Sequence, residues 1–248
     1  MTNQTGAVGV EIAAELKYLN PQIKVTLVHS RDKLLSAEPL PEELKDKALE
    51  LVNDTGVEAL LSHRLDKTES TQDPDGNTCH RVHFTNGHTL LADQVIMAIS
   101  NGIPATTFIP SEALNEAGYV RIQPTTEFPA DTPNPAHHFA VGDLVQWSGI
   151  KRCGGAMHMG FYAANNIYMR MIQERRIEMP VLDEPNVVLK LDEIPPMIGL
   201  AVGNQAVAYW PEAGVTAGED ILKGFFGDDL GFTSEFLVTV PGERVAFC

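Results

Sequence analysis

The 248-residue sequence predicts an α/β fold, and three observations predict it. Apolar residues at helical spacing begin directly after the glycines Gly6 and Gly9. Two helices, each followed by a short strand, come next along the chain. Short alternating strands then lead to an apolar run at 93–99. The order helix, strand, helix, strand, meander, strand is that of a Rossmann-type unit without its first strand.

The first helix begins after Gly6 and is followed by a strand. Its apolar residues recur at the spacing of one helical face: Val8, Ile12, Ala13, Leu16 and Leu19. Asn20 and Pro21 end this helix, because proline cannot continue it. The run 24–29, which contains Val25, Thr26 and Val28, predicts a strand.

A second helix, a second strand and a meander follow. The helix begins near Pro41 and ends at Gly56, with an apolar stripe of Leu44, Ala48, Leu51 and Val52. Residues 57–61 predict a strand. Between Leu65 and Leu91 the alternation is interrupted by Asp75-Gly76 and Asn86-Gly87, which favour hairpin turns. Residues 93–99 predict a buried strand.

The second half of the chain predicts further elements of both kinds. A short strand at 138–141 delivers Gly142 and Asp143 at its carboxyl end, and a glycine-started helix covers 154–172. Three strands, a hairpin turn and a short helix follow: 187–191, 197–202, 206–209, Gly203-Asn204 and 220–226. We divide the chain into a Rossmann-type segment at 1–104, a middle segment at 105–179 and an α+β segment at 180–248.

Composition and charge limit the classes of partner. The formal net charge of −15 argues against nucleic acid, whose binding requires clustered Lys and Arg, so we expect a small-molecule substrate. Cys79, Cys153 and Cys248 are widely spaced and predict free thiols rather than a metal site. The sequence shows neither a signal peptide nor a transmembrane segment, and we expect a cytoplasmic protein. An exposed sheet edge makes a homodimer a further expectation.

The opening residues match the second half of a GxGxxG dinucleotide fingerprint. Gly6 takes the second position, where backbone approaches a pyrophosphate, and Gly9 takes the third, where the helix packs closely on its strand. Gln4 falls where the first glycine belongs. Too few residues precede Gly6 for a strand, so the first element of the unit is expected to be missing.

Several motifs together resemble the two-dinucleotide flavoprotein oxidoreductases. They are the half-fingerprint, the meander, the phrase Val25–Ser30, Phe139–Asp143 and the run Gly154–Gly160. Within the pyridine nucleotide-disulfide oxidoreductases the match is closest to the AMID-like branch, which is apoptosis-inducing-factor-like and ferroptosis-suppressor-like and is related to type II NADH dehydrogenases. The resemblance covers nearly the whole chain from Gly6 to about Gly231. It implies a family member that lacks the amino-terminal FAD-binding half, with a middle segment that is a remnant of the FAD domain.

The resemblance implies a function and a set of site residues. NAD(P)H passes hydride to FAD, which reduces a quinone or another small acceptor. Gly6, Gly9 and Glu11 would lie at the NAD(P) pyrophosphate and the nearby helix. The family's second FAD motif matches Gly142 and Asp143.

Further residues extend this site, again by resemblance. The amides of Gly155, Ala156 and Met157 would lie near the flavin pyrimidine edge. Arg31, which stands where NAD-preferring sites carry an acid, favours NADPH.

The sequence leaves other functions open. His158 would face the flavin cavity and is the candidate catalytic residue, although a lone histidine is often structural. The alternative function is a flavin-free descendant whose vacated cavity binds an apolar small molecule. It would catalyse a non-redox isomerisation or cyclisation, with His158, Asp143 or Arg152 as acid–base groups. A third possibility is a fragment without activity of its own.

Overall fold

The structure is a computed structural model that describes residues 6–99, 103–174 and 187–227, and the backbone of two strands at 237–240 and 243–246. In chain order its helices and strands are α1 (Ala7–Leu19), β1 (Thr26–Val28), α2 (Glu42–Asp54), β2 (Glu58–Leu60), β3 (Leu65–Gln72), β4 (Thr78–Phe84), β5 (Thr89–Ala92), β6 (Val120–Arg121), β7 (Val145–Gln146), α3 (Cys153–Gln173), β8 (Ile198–Val202), β9 (Gln205–Trp210), β10 (Gly214–Gly218), α4 (Glu219–Phe226), β11 (Leu237–Val240) and β12 (Glu243–Ala246). The mixed α/β class predicted from the sequence is confirmed.

The chain forms two compact units. The first comprises residues 1–101 and 197–248, and the second comprises residues 102–196. Each unit is described below by itself. The division into segments 1–104, 105–179 and 180–248 stays a prediction.

The first unit contains a parallel pair of strands, β1 and β2. β1 pairs with β2 in the register Thr26↔Glu58 to Val28↔Leu60. Parallel strands need a crossover, and α2 supplies it. The pairing continues beyond β1, because the amide of His29 donates to the carbonyl of Leu60 at 2.9 Å. The predicted helix–strand–helix–strand order is confirmed in this part of the chain.

Helix α1 is apolar on two sides, and only one of them is covered. Its buried side consists of small residues and packs against β1 and β8. Gly203, in the turn between β8 and β9, approaches the carbonyl of Ala14 to 3.9 Å, measured from the position a Cβ would occupy. The other side is exposed and apolar: Val8, Ile12, Leu16 and Leu19. An exposed apolar stripe of this length is unusual on a single helix of a soluble protein.

Helix α2 has one apolar face, as its sequence predicts. Its buried residues are the predicted stripe, Leu44, Ala48, Leu51 and Val52. Pro41 stands at the amino-terminal cap, and Glu42 and Glu43 occupy the first turn, where negative charge stabilises the helix dipole. Hydrogen bonds to Lys45 and Lys33 lower the pKa of Glu42 to about 2.

The predicted meander is confirmed as the antiparallel sheet β3-β4-β5. Both hairpin turns lie where the sequence places them, and Gly76 and Gly87 adopt positive φ of 86° and 85°. The Asp73 carboxylate accepts hydrogen bonds from the amides of Asp75 and Asn77, so the first turn is held by a side chain as well as by backbone.

The buried strand predicted at 93–99 is wrong. Residues 94–99 form no strand, and the side chains of Ile96 and Met97 are 61% and 52% exposed. In a doubly wound sheet this segment pairs with the strand that precedes the first helix. Among the described residues no strand occupies that position, so the backbone groups of 94–99 have no ladder to join and its apolar side chains no face to cover.

The second unit is built around the parallel pair β6–β7 and helix α3. Val120 and Val145 are fully buried and face each other in register. They pack in one cluster with Phe128, Met159 and Leu191. The core therefore joins α3 to both strands and to the extended chain near residue 191.

The strand predicted before Gly142 is shorter than expected. Only Phe139 bridges to Glu127, and the amide of Ala140 donates to the carbonyl of Thr126 at 3.0 Å. Gly142 at a positive φ of 80° then turns the chain away from its partner, which limits the pairing to this bridge.

Asn166 on α3 joins two loops of the second unit. It is 4% exposed, and its amide donates to the carbonyls of Thr125 and Leu189 at 2.9 and 2.8 Å. Its side-chain oxygen accepts the amide of Leu189 at 2.8 Å. The strand predicted at 187–191 is wrong for this reason, since the backbone of Leu189 pairs with a side chain rather than with another strand.

Two further sheets of the first unit are antiparallel, one in the order β10-β9-β8 and the other the pair β11–β12. The predicted strands at 197–202 and 206–209, their turn at Gly203-Asn204 and the helix at 220–226 are confirmed as β8, β9 and α4. Strand β10 has no sequence signal, because it begins and ends with glycine and shows no apolar alternation. Within the described residues, no helix is long and apolar enough to cross a membrane.

We predict that Asn166→Ala destabilises the protein by about 3 kcal/mol, because two backbone carbonyls and one amide lose their buried partner. Asn165→Ala is the matched control, since Asn165 donates from the same helix to one backbone carbonyl, that of Val187, and at 3.2 Å to the side-chain oxygen of Asn166. Its loss should cost about 1 kcal/mol. Urea unfolding followed by tryptophan fluorescence measures both. Equal losses for the two variants would contradict the role of Asn166.

Candidate functional site

Helix α1 begins in the way that the half-fingerprint predicts. The amides of Gly9 and Val10 donate to the carbonyl of Gly6, so the helix starts directly after this glycine. The amides before them have no acceptor inside the helix, and such a helix end attracts phosphate. Among the described residues, no atom lies within 4 Å of the position that a Cβ at Gly6 would occupy. Packing against the described part of the chain therefore does not require glycine there.

The carboxyl end of the β1–β2 pair lies in the same unit. His29 is 1% exposed, and its Nε2 is 3.2 Å from the hydroxyl of Ser36. Arg31 is exposed, and its backbone carbonyl accepts the amide of Ser62 at 2.8 Å. Ligands of open α/β sheets bind beyond the carboxyl ends of the strands, and Arg31 stands at this edge.

A second candidate place lies in the second unit, around Gly142. A Cβ at Gly142 would lie 3.6 Å from the Cβ of Ala156, so the loop after residue 141 contacts the first turns of α3. Asp143 follows and is exposed. The structure thus brings together two motifs that are separated by more than ten residues in the sequence.

The amino-terminal end of α3 favours negative charge. It has no acidic residue in its first turn, and Lys151 and Arg152 directly precede it. Gly155 leaves its surface open, since a Cβ there would meet only the carbonyl of Ile150, at 3.9 Å. A helix of this length carries about half a positive charge at this end.

Lys151 is the most perturbed ionisable group near this helix end. Its Nζ donates to the carbonyl of Val145 at 2.5 Å and lies 4.7 Å from the ring centre of Tyr119. Burial lowers the pKa of the Lys151 amine, and the negative charge of Asp143 partly opposes this effect. Tyr119 and Val145 were not identified as site residues from the sequence, since nothing in either segment indicates a contact with Lys151.

His158 and Met157 stand one turn further along α3. Both are exposed, and the His158 ring lies 4.6 Å from the ring of Tyr162. Cys153 Sγ approaches Met157 Sδ to 3.6 Å. The described residues provide no carboxylate hydrogen-bonded to His158, so its catalytic role stays a prediction.

The predicted site residues therefore fall into two sets. Gly6, Gly9, Glu11 and Arg31 belong to the first unit, and Gly142, Asp143, Gly155, Ala156, Met157 and His158 belong to the second. Within the second set, Gly142 lies close to Ala156, since a Cβ built on Gly142 would come within 3.6 Å of the Ala156 Cβ. The binding roles of both sets stay predictions.

Comparison with known proteins decides the family. The profile described as pyridine nucleotide-disulphide oxidoreductase matches residues 5–160. The chain belongs to this family. Oxidoreductase OXR1 of Ajellomyces capsulatus is 46% identical over 228 residues, which cover 92% of this chain and 48% of that protein. Ferroptosis suppressor protein 1 of Mus musculus is 35% identical over 163 residues, covering 64% of this chain and 41% of that protein.

Solved structures of the family share the fold. The FAD-dependent pyridine nucleotide-disulphide oxidoreductase from Desulfovibrio vulgaris matches with a TM-score of 0.61 and 16% identity, over 83% of this chain and 47% of that one. The water-forming NADH oxidase from Lactobacillus brevis matches with a TM-score of 0.56 and 16% identity, over 83% of this chain and 40% of that one. The chain spans about half the length of these family members or less. The AMID-like resemblance stated from the sequence is confirmed by the named relatives.

We predict that Gly142→Ala costs about 1–2 kcal/mol, because any L residue is strained at a φ of 80°. Gly160→Ala is the matched control, since Gly160 lies inside α3 with no atom within 4 Å of an added Cβ, and alanine should stabilise it by about 0.5–1 kcal/mol. Chemical denaturation measures both. A neutral or stabilising Gly142→Ala would contradict the described backbone.

We also predict that the pH midpoint for acylation of Lys151 lies below that of Lys67. Only the neutral amine reacts; burial lowers the pKa of Lys151, whereas its hydrogen bond to Glu69 raises the pKa of Lys67. Peptide mass spectrometry after brief labelling between about pH 7 and 11 gives both midpoints, around the ordinary lysine value of about 10.4. A higher midpoint for Lys151 would contradict the described environment.

Proposed function

We propose that this chain acts as an FAD-dependent NAD(P)H oxidoreductase of the AMID-like type. Hydride passes from NAD(P)H by way of the flavin to a quinone or another small acceptor. The observation that carries the proposal is that Gly142 lies close to the first turns of α3, where a Cβ on Gly142 would come within 3.6 Å of the Ala156 Cβ. Similar solved structures are named as FAD-dependent and as bound to NADH.

The residues present fit the ribityl and pyrimidine end of a flavin. Gly142 has no side chain where the loop approaches α3, and Asp143 offers an exposed carboxylate that can accept hydrogen bonds from ribityl or ribose hydroxyls. The amides of Gly155, Ala156 and Met157 would face the pyrimidine ring. Negative charge develops there when a flavin is reduced, and the α3 dipole would stabilise it.

Lys151 adds a positive group with a lowered pKa beside this helix end. Its amine is held by the carbonyl of Val145 over the face of Tyr119, which limits its motion. In the proposed reaction Lys151 orients an anionic or carbonyl group and can release a proton more readily than an exposed lysine. The flavin itself supplies the hydride and electron chemistry.

The residues of the first unit fit a nicotinamide dinucleotide. The open amino-terminal end of α1 suits a pyrophosphate, with Glu11 in the following turn. Arg31 at the carboxyl edge of β1 suits a 2′-phosphate, since arginine binds phosphate through paired N–H groups. These features support NADPH over NADH. The quinone acceptor is supported by the resemblance to the ferroptosis-suppressor-like branch.

We predict that the purified protein binds FAD and, once loaded, oxidises NADPH faster than NADH. Absorbance of the flavin measures the first and loss of nicotinamide absorbance with a soluble quinone measures the second. Asp143→Ala should weaken FAD binding at least about tenfold, the loss of a charged hydrogen bond, whereas Glu116→Gln, an exposed acid in the same unit, should not.

One outcome of the same measurements would contradict the proposal. Colourless protein with no thermal shift from FAD or NADPH would exclude it and favour the flavin-free alternative. Thermal stabilisation by an apolar small molecule under the same conditions would then support that alternative.

A further inference from the structure

Strand β10 lies at the edge of the sheet β10-β9-β8. It pairs with β9 along its whole length, from Gly214↔Trp210 to Gly218↔Ala206, and with no other strand in the described part of the chain. The N–H and C=O groups on its outer side therefore have no ladder partner there. Such an edge can pair with a further extended chain.

The outer edge of β10 has none of the sequence features that block pairing in natural sheets. These features are charged side chains, proline and bulges. The strand contains no charge and no proline, and its register with β9 is uninterrupted. At its two ends, Gly214 and Gly218 have no described atom within 4 Å of the position of an added Cβ. A further strand therefore meets no described obstacle at either end of β10.

A groove of about 660 Å³ lies between this edge and helix α2, which belongs to the same unit. Three residues of β10 and four charged residues of α2 line it: Val215, Thr216, Ala217, Glu43, Asp46, Lys47 and Glu50. One side of this β10–α2 groove is therefore an uncharged strand, and the other side is the charged face of a helix.

The register of the sheet shows which β10 side chains share a face. Residues directly opposite each other on paired strands point to the same face. A Cβ at Gly199 of β8 would lie 3.2 Å from the Phe225 ring of α4, and Gly199 is aligned through β9 with Thr216. Thr216 therefore points to the α4 face, whereas Val215 and Ala217 point to the opposite face. A strand added to β10 would alternate in the same way, with every second side chain on each face.

The α2 side of the groove is acidic. The exposed carboxylate of Glu43 forms no ion pair with any described residue. Glu50 pairs with Lys47 at 2.8 Å and Asp46 with Lys33 at 2.7 Å, and each of these four side chains is at least 34% exposed. Exposed pairs of this kind contribute little, so they do not prevent the carboxylates from binding another cation.

Further acids flank β10 in the sequence. Glu212 precedes the strand, Glu219 and Asp220 follow it, and all three are exposed. The segment 211–222 contains no lysine or arginine. An occupant of the β10–α2 groove would therefore meet negative charge along α2 and at both ends of β10. Lysine and arginine are the side chains that complement this surface.

We propose that the β10–α2 groove binds an extended basic segment of a partner protein, which adds a strand to the edge of β10. Main-chain hydrogen bonds to β10 provide the affinity, and lysine or arginine at every second position faces the acids of α2. The site uses none of the residues of the proposed oxidoreductase site and does not depend on a cofactor. A second copy of this chain is a poorer occupant, since each copy carries a formal net charge of −15.

The probe is a seven-residue peptide that alternates lysine with valine, blocked at its ends and labelled with a fluorophore. It is long enough to cover the five residues of β10. Fluorescence anisotropy measures its dissociation constant for the full chain, and a second peptide with glutamate in place of lysine is the control. We expect the lysine peptide to bind at least about tenfold more tightly, because several charges are reversed. Equal affinity for the two peptides would overturn the inference.

Strand pairing is tested with a third peptide, which has the lysine–valine sequence and a methyl group on every backbone amide. It keeps all the positive charges, but it has no N–H group to donate to β10. We expect its affinity to be at least about tenfold lower than that of the unmethylated peptide. Equal affinity would indicate charge attraction without an added strand and would overturn the inference.

The position of the site is tested with two matched variants. Glu43→Gln removes one charge from the groove, and Asp75→Asn removes one from an exposed turn of the meander, so both change the net charge alike. We expect Glu43→Gln to weaken binding of the lysine peptide about threefold, the effect of one charge at about 6 Å in water, and Asp75→Asn to leave it unchanged. Equal effects of the two variants would contradict the site.

Hydrogen exchange and sedimentation separate the remaining occupants. Binding of the lysine peptide should slow amide exchange in the segment 214–218, and unchanged exchange there would overturn the inference. A dimer in sedimentation that fails to bind the lysine peptide would assign the groove to a second copy and would also overturn it.

Discussion

The parallel pairing of β1 with β2 is the constraint on which the first unit depends. It fixes α2 as the crossover, and it aligns the carboxyl ends of two strands so that His29, Arg31 and His63 lie along one edge. The hydrogen bonds continue past the strands themselves, from His29 to Leu60 and from Ser62 to Arg31. The backbones that follow β1 and β2 fix the position of this edge, and a dinucleotide could bind there only because of this.

In the second unit, a loop and a helix, rather than two paired strands, position the candidate site residues. A bridge at Phe139 and the positive φ of Gly142 direct the chain onto α3, whose amino-terminal end lies beside Lys151. Asn166 holds the far side of the same helix to two loops. The chain is therefore held just before α3, at Lys151, and within α3 at Asn166.

Local patterns predicted much of this fold. The stripe of α2 and the Asp75-Gly76 and Asn86-Gly87 turns need only neighbouring residues, and the structure confirms them. The strand predicted at 93–99 does not form. A strand needs a neighbouring strand to pair with, and the apolar residues of the segment cannot supply one. The strand predicted at 187–191 does not form because the Asn166 side chain pairs with the backbone of Leu189 in place of a neighbouring strand.

In the candidate site, too, some features follow from local sequence patterns and others depend on long-range contacts. Glycines and Asp143 could be found from their motifs, but the contact of Lys151 with Tyr119 and the pair of His63 with His88 join residues that are 32 and 25 positions apart, and no local pattern indicates them. The exposure of the apolar stripe on α1 also has no local signal, because it is set by which helix face other elements cover. Burial and long-range pairing are properties of the fold, and they appear only once the strands are in register.

The proposed function requires that the edge formed by α1, β1 and β2 bind a nicotinamide dinucleotide. Hydrogen exchange measured by mass spectrometry with and without NADPH tests it most directly. We predict slower exchange in peptides that contain Gly9, Arg31 and His63, with no change in β10. Unchanged exchange at all three, under saturating NADPH, would contradict the claim.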